Sequence, residues 1–138
     1  MAIEIVPKEI DDELGKFIDE SFEAYARKHE VNCNYENFSF VAKDKDKIVG
    51  TINGHSYYNS VYISDLIVSE ECRGQDIGTK LVKKVEDEYR GRNMEYICLT
   101  TYAFQAREFY EKLGYEVEYV RKSKNEKLTK YFLIKYDI

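Results

Sequence analysis

Residues 73–79 read Arg73-Gly74-Gln75-Asp76-Ile77-Gly78-Thr79. They stand between an apolar run, Val61-Tyr62-Ile63-Ser64-Asp65-Leu66-Ile67-Val68, and a helical stripe at Ile77, Leu81, Val82, Val85 and Tyr89. A strand, a short glycine-bearing basic loop and a helix make a cradle for phosphate. The loop turns its N–H groups outward, and the helix N-terminus adds partial positive charge. Two better-known cradles fail on spacing. A Walker A loop needs four residues between its glycines and then Lys-Ser/Thr, but three separate Gly74 from Gly78, and Thr79-Lys80 follows. The dinucleotide pattern G-x-G-x-x-G is absent as well.

The elements around this loop can be read from periodicity. Ala2–Val6 has the β-branched character of a first strand, which Pro7 ends. Ile10, Leu14, Phe17, Ile18, Phe22 and Tyr25 form a helical stripe, led by Asp11, Asp12 and Glu13 where acids suit the helix dipole. Residues 38–43 and 48–56 read as strands about the charged turn Asp44-Lys45-Asp46-Lys47. The turn Tyr57-Tyr58-Asn59-Ser60 leads into the strand 61–68. The helix after the loop runs to about Tyr89, closed by Gly91. Tyr96–Thr100 is a short buried strand, and a helix from about Phe104 to Leu113 stops at Gly114. Residues 115–121 and 128–136 form a final strand pair. The unit 61–100 is a parallel crossover, expected to be right-handed. This is an α/β (α+β) pattern over one domain, 1–138, with a mixed, mostly antiparallel sheet of six to seven strands and about four helices.

Composition narrows the function. Hydrophobic residues make up 43% of the chain and charged ones 34%, an ordinary soluble balance with no linker, repeat or low-complexity stretch. Residues 1–40 carry ten acids against four bases, net −6, and residues 41–138 are net +1. The acidic end either attracts a cationic substrate or is a solvated helix face. An acidic chain argues against nucleic acid as a partner. No apolar run approaches the roughly 20 residues that span a bilayer, so no membrane partner is expected. Cys33, Cys72 and Cys98 are scattered, without a CxxC pair or a secretion signal, which reads as reduced thiols in a cytoplasmic protein. His29 and His55 are the only histidines, and no metal site is expected.

The loop resembles the pyrophosphate loop of the GNAT superfamily of acetyl-CoA-dependent N-acetyltransferases, commonly Arg-Gly-x-Gly-x-Gly. Arg73, Gly74, Ile77 and Gly78 match that form, and Asp76 stands where the middle glycine is usual. A second block, Gln105-Ala106-Arg107-Glu108-Phe109-Tyr110-Glu111-Lys112-Leu113-Gly114-Tyr115, is similar to the family's Ala-x-x-Phe/Leu-Tyr-x-Lys-x-Gly-Phe/Tyr helix and turn. Ala103 stands where many members have Asn. The resemblance covers roughly residues 38–135.

The resemblance implies acetyl-CoA as cofactor and a primary amine, a small cationic one, as acceptor, acetylated by direct attack in a ternary complex. Acyl transfer needs the cofactor held, the amine neutral, the oxyanion stabilised and the leaving thiolate protonated. By resemblance, Gln75, Asp76, Ile77, Gly78 and Thr79 offer N–H groups to the pyrophosphate, and Arg73 adds charge. The strand before the loop splays from its neighbour, so that Leu66, Ile67 and Val68 leave backbone groups for the pantetheine arm. The Leu66 N–H polarises the thioester carbonyl. Phe104, Ala106 and Phe109 line the cofactor, and Tyr110, a phenol with an ordinary pKa near 10, protonates the thiolate. Relatives place a base at the positions of Tyr62 or Ser64. Asp65 is the nearby carboxylate, but strand alternation points it away from Ser64 and Leu66 unless a bulge intervenes. Two rivals remain, a CoA-binding module without turnover and a protein N-acetyltransferase, and a homodimer is left open.

Overall fold

Positive backbone φ angles at Lys45 (58°) and Tyr58 (55°) let the chain reverse twice within a few residues. The reversals join β1 (Glu36–Asp44), β2 (Lys47–Tyr57) and β3 (Ser60–Val68) into an antiparallel meander. The computed structural model describes residues 1–138. They divide into two units, Met1–Cys33 and Asn34–Ile138.

The first unit is built on α1 (Asp12–Lys28). Asp11 caps it, accepting the Leu14 N–H at 2.9 Å, and Lys8 pairs with the same carboxylate at 2.9 Å. These bonds, the Leu14 one foremost, hold the Asp11 carboxyl below its ordinary range. Asp12 and Glu13 occupy the first turn, Arg27 and Lys28 the last, as the dipole favours. The expected strand at Ala2–Val6 does not form. A strand needs a ladder partner, and the sheet contains six strands, none of them from this segment.

In the second unit the strands lie in the order β1-β2-β3-β4-β6-β5, with β4 at Tyr96–Tyr102, β5 at Glu116–Arg121 and β6 at Lys130–Tyr136. Only β3 and β4 are parallel, joined through α2 (Ile77–Tyr89). One sheet face meets Leu81, Val82, Val85 and Tyr89 of α2 in a core that includes Phe38, Ile52, Val61, Ile63, Ile97, Leu99 and Leu133. The last helix, α3 (Arg107–Lys112), is shorter than the sequence pattern indicates. Residues 104–106 form a turn instead, because Gln105 Oε1 accepts the Tyr102 N–H at 3.0 Å and competes with helical pairing. Three α-helices are therefore present rather than about four. No helix is long and apolar enough to cross a membrane.

Two irregularities in β3 shape everything that follows. The first is a bulge. Gly54 pairs with Ile63 and Asn53 with Asp65, so Ser64 is an extra residue without a ladder partner. Val61 and Ile63 face the core before the bulge, and Leu66 and Val68 pack against it afterwards. Side-chain parity therefore flips between residues 63 and 66. Gly54 permits this, since a Cβ there would sit 2.0 Å from the Tyr62 carbonyl oxygen and 2.5 Å from Phe38 Cζ. The second is divergence. β3 pairs with β4 only from Ser60 to Tyr62, whereas β4 goes on pairing with β6 as far as Tyr102.

Candidate active site

The loop before α2 leaves six donors unused. Lys80 is the first N–H of the helix with a backbone acceptor, the Asp76 carbonyl at 3.0 Å. The N–H groups of Gly74 through Thr79 have none. All of these residues but Gln75 line a cavity of about 780 Å³. Its walls are Leu66, Ile67 and Val68 of β3, Phe104–Ala106 of the turn, and Phe109, Lys112 and Leu113 of α3. A Cβ on Gly78 would lie 3.2 Å from Phe109 Cζ, so the bare glycine lets α3 close against the cradle. Donors at one end and an apolar trough behind them fit a long phosphorylated ligand with an aliphatic arm.

Asp76 occupies the N-cap of α2 with φ 61° and ψ 19°, left-handed backbone that glycine adopts without strain and that aspartate tolerates better than most residues. Its side chain makes no capping bond.

A second cavity, about 440 Å³, opens where β3 and β4 part. Leu66, Ile67, Gln105 and Ala106 line both cavities, so the two meet beside the unpaired edge of β3. The second is polar, with Thr51, Asn53, Ser64, Asp65, Thr100, Thr101 and Tyr110 around it. Asp65 is its only carboxylate, exposed and without a hydrogen bond or ion pair in the chain. The bulge brings it there. Alternation would have set Asp65 opposite Ser64, but with Ser64 unpaired both side chains reach the same cavity and Leu66 takes the core face. Ser64 Oγ donates to the Asn53 carbonyl at 3.1 Å. Tyr62 lines neither cavity, and its hydroxyl lies 3.4 Å from Thr100 Oγ1.

Tyr110 is the one buried residue of α3. Its ring packs edge-on against Phe109 at 5.1 Å and Tyr115 at 5.9 Å. The Tyr115 N–H donates to the Tyr110 carbonyl at 3.1 Å, and the Tyr115 hydroxyl donates to buried Glu86 Oε2 of α2 at 2.9 Å. Lys135 adds bonds to the same Glu86 oxygen (3.1 Å) and to the Leu113 carbonyl (2.9 Å). The short helix is thus tied to the cradle helix on one side and β6 on the other. The Tyr110 hydroxyl itself has no partner in the chain, and burial pushes its pKa up to about 12. Burial, then the Glu86 carboxylate, raise Tyr115 also.

These phenols have a measurable consequence. With folded pKa values above the unfolded value near 10, their full contribution to stability is present below pH 10 and is lost as pH rises through the folded values. Unfolding free energy should fall between about pH 10 and 12, with Tyr110 accounting for about 2 kcal/mol. Denaturant titrations at pH 9 and pH 11 should show a smaller drop in Tyr110→Phe than in the unaltered chain. An equal drop would contradict the burial of this hydroxyl.

Of the residues that the sequence assigned to the cofactor, Leu66, Ile67, Val68, Arg73, Gly74, Asp76, Ile77, Gly78, Thr79, Phe104, Ala106 and Phe109 border the first cavity. Gln75 does not border it, and Tyr110 borders the second. Sequence reasoning passed over Cys72, Lys112 and Leu113 in the first cavity and Thr51, Asn53, Thr100 and Thr101 in the second. The β2 alternation Thr51-x-Asn53-x-His55 was a usable sign, since it places polar groups opposite core positions Ile52 and Gly54.

The chain belongs to the acetyltransferase (GNAT) family, whose model matches residues 6–115. It is 32% identical over 117 residues to N-alpha-acetyltransferase 30 of Schizosaccharomyces pombe, covering 78% of this chain and 76% of that one. The fold matches an acetyltransferase from Bacillus cereus with TM-score 0.76 and 26% identity, over 96% of this chain and 98% of the other. It also matches Arabidopsis thaliana Naa50, in complex with the bisubstrate analogue CoA-Ac-MVNAL, with TM-score 0.63 and 27% identity over 72% of each chain. The chain spans about half (54%) of the length of another curated N-acetyltransferase that it matches, from Methanocaldococcus jannaschii.

Proposed function

We propose that this chain is an acetyl-CoA-dependent N-acetyltransferase that passes an acetyl group to a primary amine by direct attack. One observation carries the reading: an N–H-lined cavity and a polar cavity with an unpaired carboxylate and an unpartnered phenol meet at the open edge of β3. Bound acetyl-CoA supplies the activated acyl group as a thioester. The N–H groups of Gly74 and of Asp76 to Thr79 hold its pyrophosphate, with Arg73 adding charge. Val68, Phe109 and Leu113 exclude water from the arm. The Leu66 N–H polarises the carbonyl. Asp65 attracts the acceptor's ammonium and takes its proton, and the Tyr110 hydroxyl donates to the departing sulfur. Ser64 lines the same cavity, and Tyr62 stands behind it with its hydroxyl 3.4 Å from Thr100 Oγ1. The Asn absent at Ala103 costs the cofactor one hydrogen bond.

The sequence reading favours a small cationic amine. The name of the fission-yeast relative and the peptide portion of the analogue on the plant enzyme support a second reading, the α-amino group of a peptide. Purified protein with acetyl-CoA should release free CoA thiol when a diamine, an aminoglycoside or a short peptide is added. Release no faster than hydrolysis with every amine would instead support a CoA-binding module without turnover.

Asp76 supplies a sharper test. Its carboxylate stands by the site of a pyrophosphate and repels it. Asp76→Gly relieves left-handed strain, of order 1 kcal/mol, and adds unfolded-state entropy worth about 0.4–1 kcal/mol in the other direction. Stability should therefore stay within about 0.5 kcal/mol while CoA binds several-fold more tightly by calorimetry. Weaker binding would mean that Asp76 orders the loop for phosphate.

A further inference from the structure

Glu86 is the one charged residue that the fold buries, 6% exposed. It borders neither cavity, and the proposed reaction gives it no part. A carboxylate taken out of water needs a cation and hydrogen bonds to offset its lost hydration. Glu86 Oε2 receives both, from the Tyr115 hydroxyl at 2.9 Å and the Lys135 ammonium at 3.1 Å. Both donors lead on to α3. The Tyr115 N–H donates to the Tyr110 carbonyl at 3.1 Å, and the two rings meet edge-on at 5.9 Å. The same Lys135 ammonium donates at 2.9 Å to the carbonyl of Leu113, the C-cap of α3. This helix cannot hold itself. It has six residues and no side-chain cap at Ala106, and helices so short are marginal alone. Its place against the two cavities is set by outside ties, and two of these end on one oxygen of α2.

We infer that Glu86 is a positioning residue for acetyl transfer: through Tyr115 and Lys135 it fixes α3 so that the Tyr110 hydroxyl meets the departing sulfur. This rests on the reading of Tyr110 as the proton donor. Nothing in the chain aims that hydroxyl at its tip, since it has no partner there. Its direction comes from the ring packing and the backbone beneath it, which is where Tyr115 holds it. A displacement of about 1 Å at a reacting group is enough to lower a rate by about 10²-fold. The N–H groups of the phosphate cradle belong to the loop before α2 and its first turn, so loosening α3 leaves them in place. Glu86 therefore acts on kcat and leaves the affinity for the cofactor nearly alone.

The test is a double-mutant cycle between Glu86→Gln and Tyr110→Phe. It reads kcat on the best acceptor among a diamine, an aminoglycoside and a short peptide, and CoA affinity by calorimetry. Glutamine keeps the volume and an acceptor oxygen but removes the charge that holds Lys135. Glu86→Gln should lower kcat about ten- to hundredfold in the unaltered chain. With Tyr110 already replaced by Phe it should change kcat by less than about twofold, because there is no hydroxyl left to misplace. CoA affinity should stay within about threefold throughout. Tyr115→Phe removes one of the two bonds and keeps the ring; it should give the same pattern at smaller size, and it carries the test should Glu86→Gln not fold. Equal losses with and without the Tyr110 hydroxyl, unchanged kcat in both Glu86→Gln and Tyr115→Phe, or CoA binding weakened by about tenfold or more overturns the positioning role and leaves the acetyltransferase reading intact. Unchanged kcat in Tyr110→Phe itself removes Tyr110 as donor and the inference with it. Failure of every acceptor to release CoA overturns the transferase reading as well.

Discussion

Replacing Tyr110 by Phe should lower kcat by about 10²–10⁴-fold with little change in the affinity for acetyl-CoA. The two effects separate because the ring and the hydroxyl do different things. The ring fills space between Phe109 and Tyr115, and Phe keeps that packing. The hydroxyl has no partner in the chain, so its removal strands no buried group and leaves the fold intact. A phenol raised to about 12 is protonated throughout the neutral range and can donate only when a strong base, such as a nascent thiolate, arrives beside it. Steady-state kinetics with a pre-steady-state check that chemistry limits turnover would measure this. Unchanged turnover under those conditions would remove Tyr110 from the mechanism.

Gly54→Ala should be the most damaging of the small substitutions. The added methyl would stand 2.0 Å from a backbone oxygen, Tyr62 O, and 2.5 Å from the buried Phe38 ring. Neither is the free end of a flexible side chain, so the β2–β3 ladder must shift. Overpacking of this kind costs typically 1–3 kcal/mol and more where backbone is the obstacle. A loss of about 3 kcal/mol, or about 10 °C in Tm, is expected by thermal unfolding. Because the bulge also places Asp65 and Leu66, activity of the surviving folded fraction should fall with stability. A variant with unaltered Tm would show that the close approach at Gly54 is not needed to hold the bulge.

Much of the architecture was legible because its signals are local. The stripe from Ile77 to Tyr89, the charged Asp44–Lys47 turn and the acids that open the first helix each declare themselves within a few residues. What stayed hidden depends on pairing. Alternation continued from Val61 and Ile63 would turn Asp65 and Ile67 into the core, and only the two-for-one pairing opposite Gly54 puts Leu66 there instead. The insertion of β6 between β4 and β5 was equally unreadable, since sequence neighbours are the default spatial neighbours. Ala2–Val6 had the propensity of a strand and no partner to realise it. The cradle was visible as residue types, whereas the reason for caution at Asp76 lay in a φ angle.

The most direct test of direct transfer at the junction of the two cavities is an initial-velocity matrix, with acetyl-CoA and a primary amine acceptor both varied and CoA thiol release followed. In the proposed mechanism cofactor and acceptor occupy different cavities and must be present together, so double-reciprocal lines should intersect and acetylated amine should form in step with thiol. Parallel lines, or a burst of thiol release before any amine is added, would mean that the acetyl group first passes to the protein and would contradict the account.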